Sequence, residues 1–210
     1  MTRREREKQA REEEIIAAAE KIFCAKGFEE ASMDEIAAES QFTKRTLYQY
    51  FISKEELYFA VVLKGMKKLG SYIREASLKE KTGFLKIKSS AKGYYGFYRD
   101  FPENLRLMSY IGHVKKKSGE EGKWRKELMQ LDNDMFHELE EVIGEGKADG
   151  SIRGDIDARR ASYSLIFMMT GFFNQLSTTG ETFMKHFSLE DEDFTGFSID
   201  LLLSSMAGNR

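Results

Sequence analysis

FTKRTLYQYF, residues 42–51, followed by Ile52-Ser53-Lys54, is the stretch on which the fold turns. At helical spacing Leu47 and Phe51 lie one turn apart and share a face with Phe42. At about 100° per residue, Arg45, Thr46 and Gln49 point the opposite way, flanked by Tyr48 and Tyr50. A short helix that anchors apolar residues while presenting Arg, Thr, Gln and Tyr suits insertion into a DNA major groove. There Arg and Gln match the edges of guanine and adenine, and Tyr hydroxyls and Lys amines suit the flanking phosphates. Lys44, Arg45 and Lys54 are basic, and no acidic residue lies between Ser40 and Lys54. The bland alternative is a short amphipathic helix with a solvated face.

The flanks supply the rest of a helix-turn-helix. Ile15, Ala19, Ile22 and Phe23 repeat at i, i+4, i+7 and i+8, which predicts an amphipathic first helix ended by Gly27. Ser32-Met-Asp-Glu35 is a capping-box sequence opening a second helix with Met33, Ile36 and Ala37 inward. Thr43 is the N-cap expected for the third helix, which ends near Ile52. Ser53-Lys-Glu-Glu56 reads as a second capping box, starting a fourth helix through Leu57 and Val61. Two short helices joined by a tight turn and braced by longer ones form that motif. Ahead of it, residues 3–14 are charge-rich helix formers, read as a solvated extension or arm. Arg3, Arg4, Arg6 and Lys8 are of the kind that touch phosphates, but interleaved Glu residues weaken that reading.

The run IIAAAEKIFCAKGFEEASMDEIAAESQFTKRTLYQYFISKEEL, residues 15–57, resembles the DNA-binding domain of TetR-family transcriptional regulators, and the similarity covers about residues 12–60. It includes AAxxxFxxKGF, both capping boxes and the TLYxYFxSKEEL tail. There are departures. Gln41 stands where the family commonly has Gly in the turn, which predicts a reshaped or mildly strained left-handed turn. Ile52 replaces a frequent proline, Arg45 stands where a small residue is usual, and Met33 where a hydroxyl residue often touches a phosphate. An operator unlike that of common relatives is the consequence. The resemblance implies an all-α chain: a helix-turn-helix DNA-binding domain over residues 1–53, and a helical ligand-binding and dimerisation domain over residues 54–210. It also implies a homodimeric repressor released from double-stranded operator DNA by a small effector. Arg45, Thr46 and Gln49 are the expected base readers. Ser32, Thr43, Lys44, Tyr48, Tyr50 and Lys54 complete the DNA-facing set, Lys54 forming an anion site with the amides that start the fourth helix.

Composition sets limits on this reading. A hydrophobic content of 41% is enough for a core, and a single proline with few alternating Val/Ile/Thr runs favours helices over sheets. Net charge is −2, and residues 1–54 hold ten Lys/Arg against eleven Asp/Glu, so attraction to DNA must be local. Cys24 is alone, which excludes a disulfide within the chain and fits a reducing cytoplasm. Its apolar neighbours point to a structural thiol. The charged N-terminal residues hold no apolar stretch, so no signal peptide is expected among them, and the greasiest run, Leu165–Phe173, is too short to cross a membrane.

The C-terminal half reads as more helices. Phe84, Ile87, Ala91, Tyr94, Tyr98 and Phe101 form a 3-4 seam over residues 82–100, widened by Tyr95 and Phe97. Pro102 breaks it, residues 103–112 make a short helix, and Lys115-Lys116-Lys117 reads as a solvated linker. A long helix is expected over 120–148, a glycine-punctuated turn over 150–157, and an Asp157-capped helix over 158–176 that is apolar nearly all round. Such a helix must bury both faces, one of them against a partner. A last helix, opened by Ser188-Leu-Glu-Asp191, carries Phe194, Phe197, Leu201, Leu202 and Met206. The resemblance assigns dimerisation to these last two helices. Tyr94, Tyr98, Met108, Trp124, Met129, Phe136, Phe167 and Met168 are the candidates to line an apolar effector pocket, although residues of this kind are more often plain core.

Two rivals are weighed. A carboxylate-rich bundle enzyme needs repeated Glu-x-x-His pairs, and only Asp134-x-x-His137 comes near. No nucleophile elbow, P-loop or dinucleotide motif is present, so no cofactor, metal or catalytic residue is assigned. A helical protein-interaction module would explain the apolar helices but not the polar face of the third helix.

Overall fold

The computed structural model describes residues 2–117 and 122–208, and the regular structure among them is helical. In order the helices are α1 (Arg3–Glu30), α2 (Met33–Glu39), α3 (Lys44–Tyr50), α4 (Lys54–Ser77), α5 (Gly83–Asp100), α6 (Pro102–Lys117), α7 (Lys123–Ala148), α8 (Ala158–Phe187) and α9 (Asp191–Ser204). They group into two compact units, Met1–Met66 with Arg106–Leu131 and Lys67–Leu105 with Asp132–Arg210. The boundary expected at residue 53 therefore falls inside the first unit. The start of α4 lends it Leu57, Tyr58, Phe59, Val61 and Leu63, while α6 and the start of α7 add Leu107, Val114 and Leu128 to the same core. Each such side chain contributes about 1.5–3 kcal/mol by leaving water, so these segments belong with the helices they cover.

Within the first unit the local signals act as expected at most positions. Gly27 interrupts the helical dihedrals of α1 at φ 75°, and the chain resumes one further turn to Glu30. The Ser32 hydroxyl accepts the Glu35 N–H at 3.2 Å, and the Glu35 carboxylate accepts the Ser32 N–H at 3.0 Å, closing the capping box. Thr43 accepts the Thr46 N–H at 3.1 Å to start α3. Between the two helices Gln41 adopts φ 58°, so the left-handed turn is kept although the residue is not glycine. That conformation costs an L-residue about 1–2 kcal/mol. Phe23 and Phe28 each meet Tyr58 edge to face at about 5 Å in the core, and the Tyr58 hydroxyl donates to the Leu107 carbonyl. Burial, aided by Glu20 and opposed by Arg106, pushes the Cys24 thiol up to about 11, as a structural thiol requires.

The second capping box forms only in part. Glu56 donates its N–H to the Ser53 hydroxyl at 3.2 Å, but its buried carboxylate turns away to accept the Trp124 N–H at 3.1 Å. The start of α7 offers an N–H with no helical partner, and Glu56 satisfies it across 68 residues of sequence.

In the second unit α5 packs on α8, with Tyr94 edge-on to Phe173 at 4.4 Å, and on α9, where the Tyr95 hydroxyl reaches Asp191 at 3.2 Å. Three expectations are corrected by these helices. Residues 115–117 extend α6 rather than forming a linker. The start expected for α7 at residues 120–121 lies outside the described residues. α8 runs past Leu176 to Phe187, and within it Ser177, Thr178 and Thr179 turn their hydroxyls back onto the carbonyls of Asn174 and Gln175 at 2.8–3.1 Å instead of ending the helix. Ser188 does not open α9; it ends α8 in the left-handed region at φ 54°, and Glu190 takes the N-cap position without a side-chain bond. Asp157 caps α8 through the Arg160 N–H at 2.8 Å, as the sequence predicts.

Candidate nucleic-acid interface

α3 is held by its inner face. Leu47 and Phe51 are buried, Phe42 packs beside them, and Phe51 stacks on Trp124 with ring centres 5.9 Å apart. With that side fixed, Arg45, Tyr48 and Gln49 stand at i, i+3 and i+4 on the outer face, all exposed. None has a hydrogen-bond or ion-pair partner among the described residues. Three uncommitted polar side chains on one face of a rigidly seated helix can read base edges without first breaking an internal bond.

The other expected contacts are more committed. Thr43 and Thr46 lie with hydroxyls 2.9 Å apart, and the Thr43 oxygen already caps α3. Lys44 reaches Asp34 at 2.8 Å, an exposed pair that holds the ammonium above its ordinary pKa by hydrogen bonding and charge. Tyr50 is half-buried, its ring against the core. Ser32 spends its hydroxyl within the capping box, where Glu35, held below the usual carboxylate range first by Lys26 and then by Ser32, receives it.

Lys54 departs furthest from expectation. Its ammonium donates to the carbonyls of Phe28, Glu29 and Ala31 at 2.7, 3.3 and 3.0 Å and lies 4.3 Å from the Phe28 ring centre. An ammonium has three donors, and all three are used. The side chain ties α4 to the α1–α2 junction and has no donor left for a phosphate, so the anion site expected there is not formed. Sequence could not reveal this, because the carbonyls it meets lie 23–26 residues away.

The candidate effector residues are divided between the units. Met108, Trp124 and Met129 belong to the first, where Trp124 and Met108 pack on its core and Met129 is exposed. Tyr94, Tyr98, Phe136, Phe167 and Met168 belong to the second. There Tyr94 and Tyr98 gather around Phe173, and burial pushes the Tyr94 hydroxyl up to about 12. Phe136 meets Tyr163 edge-on at 5.1 Å. Phe167 is 82% exposed and Met168 45%, so these two line no interior of the second unit. The apolar outer surface that the sequence leads one to expect on the last two helices is carried by Phe167 on α8 and by Phe197 and Leu201 on α9, which stand largely exposed. Among the described residues no group of three or more His, Cys, Asp or Glu side chains is placed to hold a metal ion, and no helix is long and apolar enough to cross a membrane.

A helix-turn-helix with an uncommitted polar face on its second short helix is the arrangement that places side chains in a DNA major groove. Comparison with known proteins agrees with that arrangement. Residues 15–61 match the sequence model of bacterial regulatory proteins of the TetR family, which makes this segment similar to the DNA-binding domain of that family. It is 30% identical over 95 residues to the transcriptional activator FasR of Mycolicibacterium smegmatis, covering 45% of this chain and 43% of that relative. The chain thus matches less than half the length of FasR. With the transcriptional repressor NicS of Pseudomonas putida it shares 23% identity over 197 residues, 91% of this chain and 90% of NicS. Among solved structures, AibR in complex with isovaleryl coenzyme A and operator DNA superposes with a TM-score of 0.67 at 20% identity, over 91% of this chain and 97% of AibR.

The committed ammonium makes a prediction. Lys54→Met is expected to cost about 1.5–3 kcal/mol in denaturant unfolding, the range for hydrogen bonds to a charged group. An unchanged unfolding midpoint, with a lost phosphate contact in the salt dependence of DNA binding, would restore Lys54 to the DNA-facing set.

Proposed function

We propose that the protein is a homodimeric repressor that binds operator DNA through α3 and leaves it when a small, largely apolar effector binds. The observation that carries the DNA-binding part is the outer face of α3, where Arg45, Tyr48 and Gln49 are exposed and unengaged. Arg45, Thr46 and Gln49 read bases, while Tyr48, Thr43 and Lys44 position the backbone. Selection of bound sequences from random duplexes tests this. Gln49→Ala is expected to cost about 1–3 kcal/mol on the selected operator and to relax preference at one base position. Binding and base preference unchanged in Gln49→Ala and in Tyr48→Ala would show that α3 is not the reading helix.

The exposed apolar side chains of α8 and α9 support a dimer. Phe197 and Leu201 are 65% and 63% exposed and lie four residues apart on α9. They are the positions at which a charge tests association, since Phe173 is fully buried against Tyr94 within its own unit and a charge there would break the core. Leu201→Arg is expected to leave the helical content intact and to shift equilibrium sedimentation from dimer to monomer. A wild-type monomer at micromolar concentration would overturn the dimer.

The effector half rests on the aromatic side chains gathered in the second unit, Tyr94 and Tyr98 around Phe173 and Phe136 against Tyr163, and on AibR, whose structure holds isovaleryl coenzyme A together with operator DNA. NicS is a repressor, which supports that sign of regulation. Weakening operator affinity a hundredfold requires about 2.7 kcal/mol of differential effector binding, and operator DNA must weaken effector binding by the same factor. A thermal-shift screen of short acyl thioesters and apolar aromatic compounds, repeated with operator present, checks this. Stabilising compounds that leave operator affinity unchanged would reduce the site to a filled cavity.

A further inference from the structure

The first turns of α1 sort a sequence that looks like mixed charge. Residues 3–11 are all exposed, so the helix leaves the packed unit there, capped by Thr2, whose N–H is taken by Glu5 at 2.6 Å. Most of the acids of this segment have partners. Glu7 is held by Arg3 at 2.9 Å, Glu13 by Gln9 at 3.0 Å, and Glu12 by Lys123 at 3.7 Å, which leaves Glu14 bordering the base of the arm. Arg4, Lys8 and Arg11 have no partner among the described residues. They stand at i, i+4 and i+7, and Ile15 and Ile22 continue the same line at i+11 and i+18. A stripe of three unpaired cations thus prolongs the core-facing side of α1 beyond the core.

The direction of that overhang follows from two ion pairs. Lys21 meets Glu39 at 2.9 Å near the end of α2, and Lys26 meets Glu35 near its start. α2 therefore runs antiparallel to α1, and its C-terminal end, with the Gln41 turn into α3, points toward the first turns of α1. At 1.5 Å per residue the stripe lies about 15–25 Å beyond Lys21, past the end of α2 on the side where α3 begins.

We propose that Arg4, Lys8 and Arg11 form an arm that binds the phosphate backbone of duplex DNA flanking the bases read by α3. This rests on the DNA-binding reading of α3 and adds to it a contact without base preference. Double-stranded DNA carries one charge per about 1.7 Å of axis, and a row of cations on one helix face, with the nearby acids mostly engaged, is complementary to it.

The test is a salt titration of the full chain on the selected operator carrying long flanks. Each phosphate neutralised adds about 0.9 to the slope of log K against log salt. The variant Arg4→Ala/Lys8→Ala/Arg11→Ala is expected to lower that slope by up to about 2.7 while keeping the same base preference at every position. Alanine favours helix, so circular dichroism should show α1 intact. Wild-type protein on a duplex trimmed of its flanks should show the same loss, and Arg6→Ala, on the opposite face, should show none. A triple variant with the wild-type slope, or one whose base preference changes instead, overturns the arm. Wild-type protein that selects no duplex overturns the reading of α3 itself, and the two failures are told apart by that control.

Discussion

The recognition unit depends on where one ammonium group sits. Lys54 draws together three carbonyls from the junction of α1 and α2 and rests on the ring of Phe28. Those carbonyls lie where Gly27 has broken the α1 helix, so they lack the partners that a continuous helix would provide. A cation at the first position of α4 supplies them. One side chain thus fixes the end of α1, the entry to α2 and the start of α4, and α3 lies between the last two. Phe51, which ends α3, is clamped from the other side by Trp124, and the Trp124 N–H is in turn held by Glu56. The outer face of α3 can leave Arg45, Tyr48 and Gln49 uncommitted because Phe42, Leu47 and Phe51 seat the helix from its back.

Much of this unit was legible in the sequence because its signals are local. Ser32 and Thr43 cap the helices they precede, as Asp157 does in the second unit, and each bond spans three residues. The left-handed turn at Gln41 was legible from the position a glycine usually fills, and the chain keeps the turn at a cost rather than remaking it. Lys54 and Glu56 were misread for one shared reason. A lysine beside a DNA-facing helix suggests phosphate, and a Ser-x-x-Glu suggests a reciprocal cap, but both side chains are captured by backbone groups distant in sequence. No pattern at short range can show that capture. Ser188 failed differently: its capping sequence was genuine in type, but the preceding helix ran eleven residues beyond Leu176 and used the serine as its end.

The second unit was legible in outline and opaque in detail. Helical periodicity shows which residues are apolar, but not whether an apolar side chain meets its own core, an effector or another chain. Phe173 and Phe167 lie six residues apart on α8, similar in sequence context, yet one is fully buried and the other is 82% exposed. The difference arises from the neighbours, Tyr94 and Tyr98 of α5 enclosing Phe173, and such neighbours are set by tertiary packing. For that reason the pocket candidates scattered between two units, while the apolar surface expected on α8 and α9 was legible as a need for a partner but not in the particular side chains that carry it.

A chain of net charge −2 must create its attraction to DNA locally, and α2 shows how. That helix carries three acids on the unit that holds α3: Asp34, Glu35 and Glu39. Each is met by a lysine from a neighbouring helix, Lys44, Lys26 and Lys21 respectively. Exposed pairs of this kind add little to stability. Their effect is on the field: the acids are neutralised where they stand, and Arg45 projects from α3 with no carboxylate to cancel it. The first turns of α1 repeat the device in part: Glu7 and Glu12 are met by Arg3 and Lys123, Glu5 and Glu13 are held by neutral donors, and Arg4, Lys8 and Arg11 are left unpaired among the described residues. The sum of charges is a poor guide to binding here, because pairing decides which charges a phosphate can feel.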